Sequence, residues 1–228
     1  MNGIWILLLL IITAALPVFI VFFLFKATKL PVTLPWFLLF LSTGIISIIV
    51  AVLAQKIIPL QGANGFLPVF FGIFIRIALV EEASRFVSIV PLLNMMKRRH
   101  TLDKSFYAAL GLVSGLGFAM IESAIYGLRE SDFGIIILRA ITAAPLHGAC
   151  GIRVCIALYF ARKQPVIAFF LFISAVLIHG AYNLIILSPA LPAWIAILIA
   201  ITALLASIHH FTKASGRTDE ETLSPPLT

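Results

Sequence analysis

Seven stretches of this chain, 3–25, 35–55, 66–95, 105–128, 133–161, 165–187 and 190–211, are predominantly apolar and each longer than twenty residues. A bilayer's hydrocarbon core is about 30 Å thick and is crossed by about 20 helical residues. With 62% of the 228 residues hydrophobic and 11% charged, a water-soluble fold would have too little polar surface to solvate. Soluble domains run at roughly 45–50% apolar and about 25% charged. Nothing alternates with period two over ten-residue stretches, which argues against a β-barrel. The expected fold is therefore all-α, a polytopic transmembrane helix bundle of about seven spans. Prolines 31, 35, 59, 165, 189 and 192 fall near the proposed junctions. Met1–Leu10 has no Lys or Arg, so it lacks the basic flank of a cleaved signal peptide, and the first segment is expected to be a retained span. One helical domain is expected over 1–212, followed by a polar tail over 213–228 that holds Pro225 and Pro226 and is expected to be disordered.

The sixteen basic residues give an orientation. Lys26, Lys29, Lys97, Arg98, Arg99, Lys104, Arg162, Lys163, Lys213 and Arg217 fall on one side of a seven-span arrangement, and only Lys56 and Arg129 on the other. The positive-inside rule then places the N-terminus outside and the C-terminus in the cytoplasm. The net charge of +7 is thus a topology signal, and no nucleic-acid partner is implied. Cys150 and Cys155, five residues apart in apolar sequence, suggest packing rather than a disulfide framework or a metal knuckle.

Four basic residues remain, Arg76, Arg85, Arg139 and Arg153, all inside proposed spans together with Glu81, Glu82, Glu122, His147 and His179. A charged residue at membrane depth costs about 2.5–3.5 kcal/mol on insertion scales, so each marks a candidate site. Glu82 stands 15 residues from Lys97, His147 15 from Arg162, His179 16 from Lys163 and Glu122 18 from Lys104. At 1.5 Å per residue these four lie in one layer, about 22–27 Å from the cytoplasmic flank and in the outer half of the bilayer. Arg85 lies within one helical turn of both Glu81 and Glu82. Such a pair in low dielectric favours one carboxylate held charged by the arginine and one left for proton transfer. Gly111, Gly115, Phe118 and Glu122 share a face of small residues, which turns Glu122 into the bundle. Asn183 follows His179 by one turn, and Pro145 with Gly148 and Gly151 allows bending and close approach around His147.

Carboxylates with two histidines and an amide suit activation of water, with a glutamate as base and His147, His179 or Asn183 stabilising an oxyanion. The same set suits a zinc ion, its ligands drawn from Glu82, Glu122, His147 and His179, with one position open to water. Both readings stand at this point: no cofactor, or one divalent metal. Other hydrolase designs are excluded. The sequence has no HExxH; Asp103, Asp132 and Asp219 lie outside the spans; and Ser114 lacks the GxSG setting of a serine protease. A proton- or cation-coupled transporter is the alternative physical use of buried ionisable groups, though no inverted repeat supports it. A catalytically inactive scaffold or immunity protein is a second alternative.

The segments EEASRF at 81–86, GLGFAMIESAIYG at 115–127, PLHGACG at 145–151 and HGAYN at 179–183 resemble, in order, the motifs of PrsW-type intramembrane proteases. These are similar to the CAAX-prenyl protease group and to YhfC-like glutamic membrane proteases. The resemblance covers about 80–190 and implies a protease core of about 66–187. It implies an endopeptidase cutting a membrane-anchored protein, such as an anti-sigma factor, from the extracytoplasmic side of a bacterial plasma membrane. By position, Glu81 and Glu82 match the paired glutamates, Phe118 and Glu122 the FxxxE motif, and His147 and His179 the later histidines. Asn183 matches the asparagine of HxxxN. Arg85 stands where such sequences usually carry lysine, and Ser123 where asparagine often follows the FxxxE glutamate.

Overall fold

The computed structural model describes residues 3–28, 32–57, 65–97, 102–130, 133–188 and 191–223. Helix α1 spans Gly3–Ala27 and α2 Leu34–Ile57. A third helical segment is made of α3, Phe66–Phe71, a π-helical stretch over Gly72–Leu79, and α4, Val80–Lys97. Next come α5, Lys104–Glu130, then α6, Phe133–Ile141, and α7, Ala143–Phe160, which are separated only at Thr142. Helices α8, Pro165–Leu187, and α9, Ala193–Leu223, complete the chain. Seven helical segments overlap the seven expected stretches, but α9 continues to Leu223, so residues 213–223 of the tail expected to be disordered are helical; no strand occurs among the described residues. Lys29, Arg98, Arg99, Asp132 and residues 224–228 of the expected tail lie outside the described residues.

Leu34–Ile57, Lys104–Glu130, Gly134–Phe160 and Pro165–Leu187 are each long and apolar enough to cross a membrane. The segment holding Glu81, Glu82 and Arg85 carries too much charge to match them on composition. The surface is what a lipid environment demands. Ile46, Ile49 and Leu53 on α2 and Phe169 and Phe170 on α8 are exposed, whereas Glu82, Arg85, His147 and His179 are buried.

Small residues put α5 and α7 at the centre. A Cβ on Gly111 would collide with the Gly151 backbone, and one on Gly115 with the carbonyl of His147. These two helices therefore meet backbone to backbone, at a distance only glycine allows. Helix α2 lies on another face of α5 by the same device, Gly44 facing the Ser114 carbonyl, with a hydrogen bond of 2.9 Å from Thr43 Oγ1 to Ser114 Oγ. An edge-to-face aromatic group of Phe22, Phe37, Phe40 and Phe106 fastens α1 and α2 to the start of α5. The interruption at Thr142 follows from Pro145, whose ring has no N–H for the Ile141 carbonyl and collides with it. The bend thus falls just ahead of the proline that the sequence marked, where Leu146 N–H still reaches the Thr142 carbonyl at 3.3 Å.

Candidate functional site

Glu81 and Glu82 open α4 directly after the π-helical stretch, a geometry that is rare and often found at functional sites. Glu82 is fully buried and both its oxygens are engaged. Arg85, one turn on and equally buried, forms an ion pair with Oε2, and His179 Nδ1 lies 2.8 Å from Oε1. Burying an uncompensated charge would cost several kcal/mol, so Arg85 and Glu82 must be kept or lost together.

Arg85 also links the two histidines' surroundings. Its Nη2 lies 3.2 Å from His147 Nδ1. A guanidinium only donates, so Nδ1 accepts and the ring proton sits on Nε2. That Nε2–H faces Glu122 Oε2 at 2.8 Å. The same carboxylate oxygen takes Arg139 Nη2 at 2.6 Å, and Arg139 in turn lies over the Tyr126 ring at 4.2 Å. Phe118 packs on His147 with ring centroids 4.8 Å apart and lies under the Arg85 guanidinium at 5.0 Å. The imidazoles of His147 and His179 meet edge to face at 4.9 Å. Four helices thus bring Glu81, Glu82, Arg85, Phe118, Glu122, His147 and His179 into one connected cluster, at the shared level the helical rise predicts.

Glu81 differs from its neighbour. Gln55 Nε2 donates to its Oε1 at 3.2 Å, and Arg76 anchors that end of α2 through the Gln55 carbonyl at 3.0 Å. Glu81 Oε2 is buried and has no hydrogen-bond partner among the described residues; His179 Nε2 stands 3.5 Å away, too far for a good bond. An orphaned carboxylate oxygen facing an imidazole nitrogen is costly to keep unless something else occupies the gap. Ligand atoms of Glu81, His147 and His179 lie within 4.8 Å of one another, a donor set able to hold a metal ion. A cavity of about 190 Å³ adjoins Glu81 and Glu122 and is walled mainly by α2 and α5.

Asn183, matched by position to an oxyanion donor, is half-buried, and no hydrogen bond ties it to the cluster among the described residues. Two further partners escaped the sequence reading. The sequence marks Arg139 as an intramembrane cation, but no spacing links it to Glu122 on another helix, its partner in the structure. Gln55 was not singled out, although it is the only glutamine in a proposed span. Cys150 and Cys155 are free and buried, as packing residues should be.

Comparison with known proteins points to one family. The model of a family described as PrsW family intramembrane metalloprotease matches residues 31–208. The protein named Protease PrsW from Clostridioides difficile (strain 630) is 24% identical over 159 residues. That alignment covers 65% of this chain and 65% of the relative, so the chain spans just under two thirds of that relative's length. No solved structure matches the chain.

Proposed function

The chain belongs to the PrsW family of intramembrane metalloproteases, and from that premise we propose that it is a membrane-embedded endopeptidase hydrolysing a peptide bond of a membrane-anchored protein. The observation that carries this reading is the division of labour between adjacent glutamates. Glu82 is neutralised by Arg85 and backs His179, while Glu81 offers a buried, unpartnered oxygen beside a cavity. Glu81 holds the reactive water at Oε2 and accepts its proton, with Gln55 fixing the carboxylate plane through Oε1. Glu82 sets the orientation of His179, and Arg85 with Glu122 sets that of His147. Asn183, one turn from His179, is the donor we assign to the oxyanion that forms on the scissile carbonyl.

The residues also fit a divalent ion, by donor chemistry a zinc ion. One carboxylate and two imidazoles make a familiar catalytic zinc set, and a histidine backed by a carboxylate, as His179 is by Glu82, is the usual support for a ligand. Glu81, His147 and His179 would hold it, His147 by releasing one ring nitrogen from its contact with Arg85 or Glu122 and turning that lone pair to the ion. Once bound it would supply Lewis acidity and a more acidic water. Of the other ligands the sequence offered, Glu82 spends both oxygens on Arg85 and His179, and Glu122 spends Oε2 on Arg139 and His147. Glu81 is central whether the site works with the ion or without it.

The substrate class we propose is a membrane-anchored regulator of the anti-sigma type, cut from the extracytoplasmic side of a bacterial plasma membrane. The test is mass-spectrometric profiling of new protein N-termini in membranes of cells expressing the wild type or Glu81→Gln. New termini in membrane-anchored proteins, seen only with the wild type, are expected. Identical profiles at matched levels of inserted protein would overturn the protease reading.

A further inference from the structure

Helices α2 and α5 do not keep one separation along their length. Where Gly44 meets Ser114 and Gly117 meets the Leu41 carbonyl, their backbones touch. Three turns further along, at Val52 and Gln55 on one side and Ile125 and Arg129 on the other, they enclose the cavity of about 190 Å³. Its walls are of two kinds. Ile48, Ala51, Val52, Phe118 and Ile125 make an apolar lining. The Gln55 amide and the carboxylates of Glu81 and Glu122 make a polar one.

Each possible occupant meets these walls differently. A lipid chain would satisfy the apolar side but lay methylenes against the polar wall of Gln55, Glu81 and Glu122, giving those groups no polar partner. A helical peptide has no backbone donors to spare. An unwound peptide at membrane depth must find partners for its freed N–H and C=O groups, and the polar wall supplies acceptors and an amide donor. Building on the protease reading, we infer that the gap between the diverging ends of α2 and α5 is a substrate subsite. It takes one apolar side chain of a locally unwound membrane-spanning substrate, from the residue next to the bond presented to Glu81. Val52 and Ile125, each partly exposed at the outer edge of the gap, set the size of side chain that enters.

The experiment reconstitutes the full chain in proteoliposomes with synthetic single-span peptides randomised over the outer quarter of the span, and reads the cut sites by mass spectrometry. Wild type is expected to prefer leucine, isoleucine or phenylalanine over alanine at one fixed position beside the cut. Val52→Trp narrows the gap, and the leucine-to-alanine ratio of kcat/KM at that position should fall about tenfold or more, the range a pocket gains from apolar bulk. Ile125→Trp should shift it the same way from the opposite wall, and Val52→Ala should admit tryptophan. A wild type that cuts with no apolar preference, or variants with an unchanged ratio, would overturn the subsite alone. A wild type that cuts no more than Glu81→Gln would overturn the protease reading beneath it.

Discussion

Replacing Arg85 with leucine strips the guanidinium from a fully buried carboxylate, which also loses the group that orders its side of the cluster. Breaking one half of a buried pair costs about 3–5 kcal/mol, so Arg85→Leu should lose most folded protein in a detergent thermal-stability assay. Glu81→Gln should behave oppositely. The orphaned Oε2 has no partner to lose, and Gln55 can still meet the new side chain, so the fold should survive with a melting temperature close to wild type. Its deficit should be chemical. Elemental analysis of purified protein is expected to find a divalent metal in the wild type and to find it strongly depleted in Glu81→Gln and His179→Ala, and equal metal content would remove Glu81 from the ligand set. The pairing of Arg85 with the acidic doublet was readable from a spacing of three and four residues. Which carboxylate it takes was not, because both lie within one turn and the choice falls to His179, 97 residues away in the chain.

The α4 and α8 elements come together through a contact the sequence only hinted at. Gly180, the residue after His179, sits so close to Phe74 in the π-helical stretch that a Cβ would run into the ring. The π-helical turn, Phe74 and Gly180 together hold Glu81 within reach of His179. Gly180→Val should push the stretch away from α8, costing about 1–3 kcal/mol by overpacking. Cleavage should fall further than stability does, since a shift of an ångström separates the pair that faces the gap. Combining it with Phe74→Ala should recover part of both losses, measured by peptide cleavage and by melting temperature; no recovery would mean that the contact does not position the site. The HGAYN motif flagged Gly180 by resemblance, yet periodicity cannot show a helix passing from α to π geometry. Most helix ends were legible from proline and charge, though not that of α9; the small-residue faces around Gly111 and Gly115 and around Gly148 and Gly151 were legible too, but not that they pack against each other.

Across the whole molecule, Lys56 and Arg129 are the penultimate residues of α2 and α5, Arg129 lining the wide end of the gap and Lys56 following Gln55, which also lines it. If the ten-to-two division of basic residues sets topology, that end faces out of the cell and the site is reached from the extracytoplasmic side. Cysteine labelling decides this cleanly, because Cys150 and Cys155 are buried and give little background. On intact cells, a membrane-impermeant maleimide should label Lys56→Cys and Arg129→Cys, while Lys163→Cys should react only after permeabilisation. Both outer substitutions remove a positive charge from the sparse side, so they reinforce the native orientation rather than compete with it. The reverse pattern would turn the gap toward the cytoplasm and require a substrate cut on that side. Labelling of all three from outside would break the alternation of seven spans on which the common depth of Glu82, Glu122, His147 and His179 was first calculated. The cluster itself would still stand, since it rests on contacts between helices and not on where the bilayer lies.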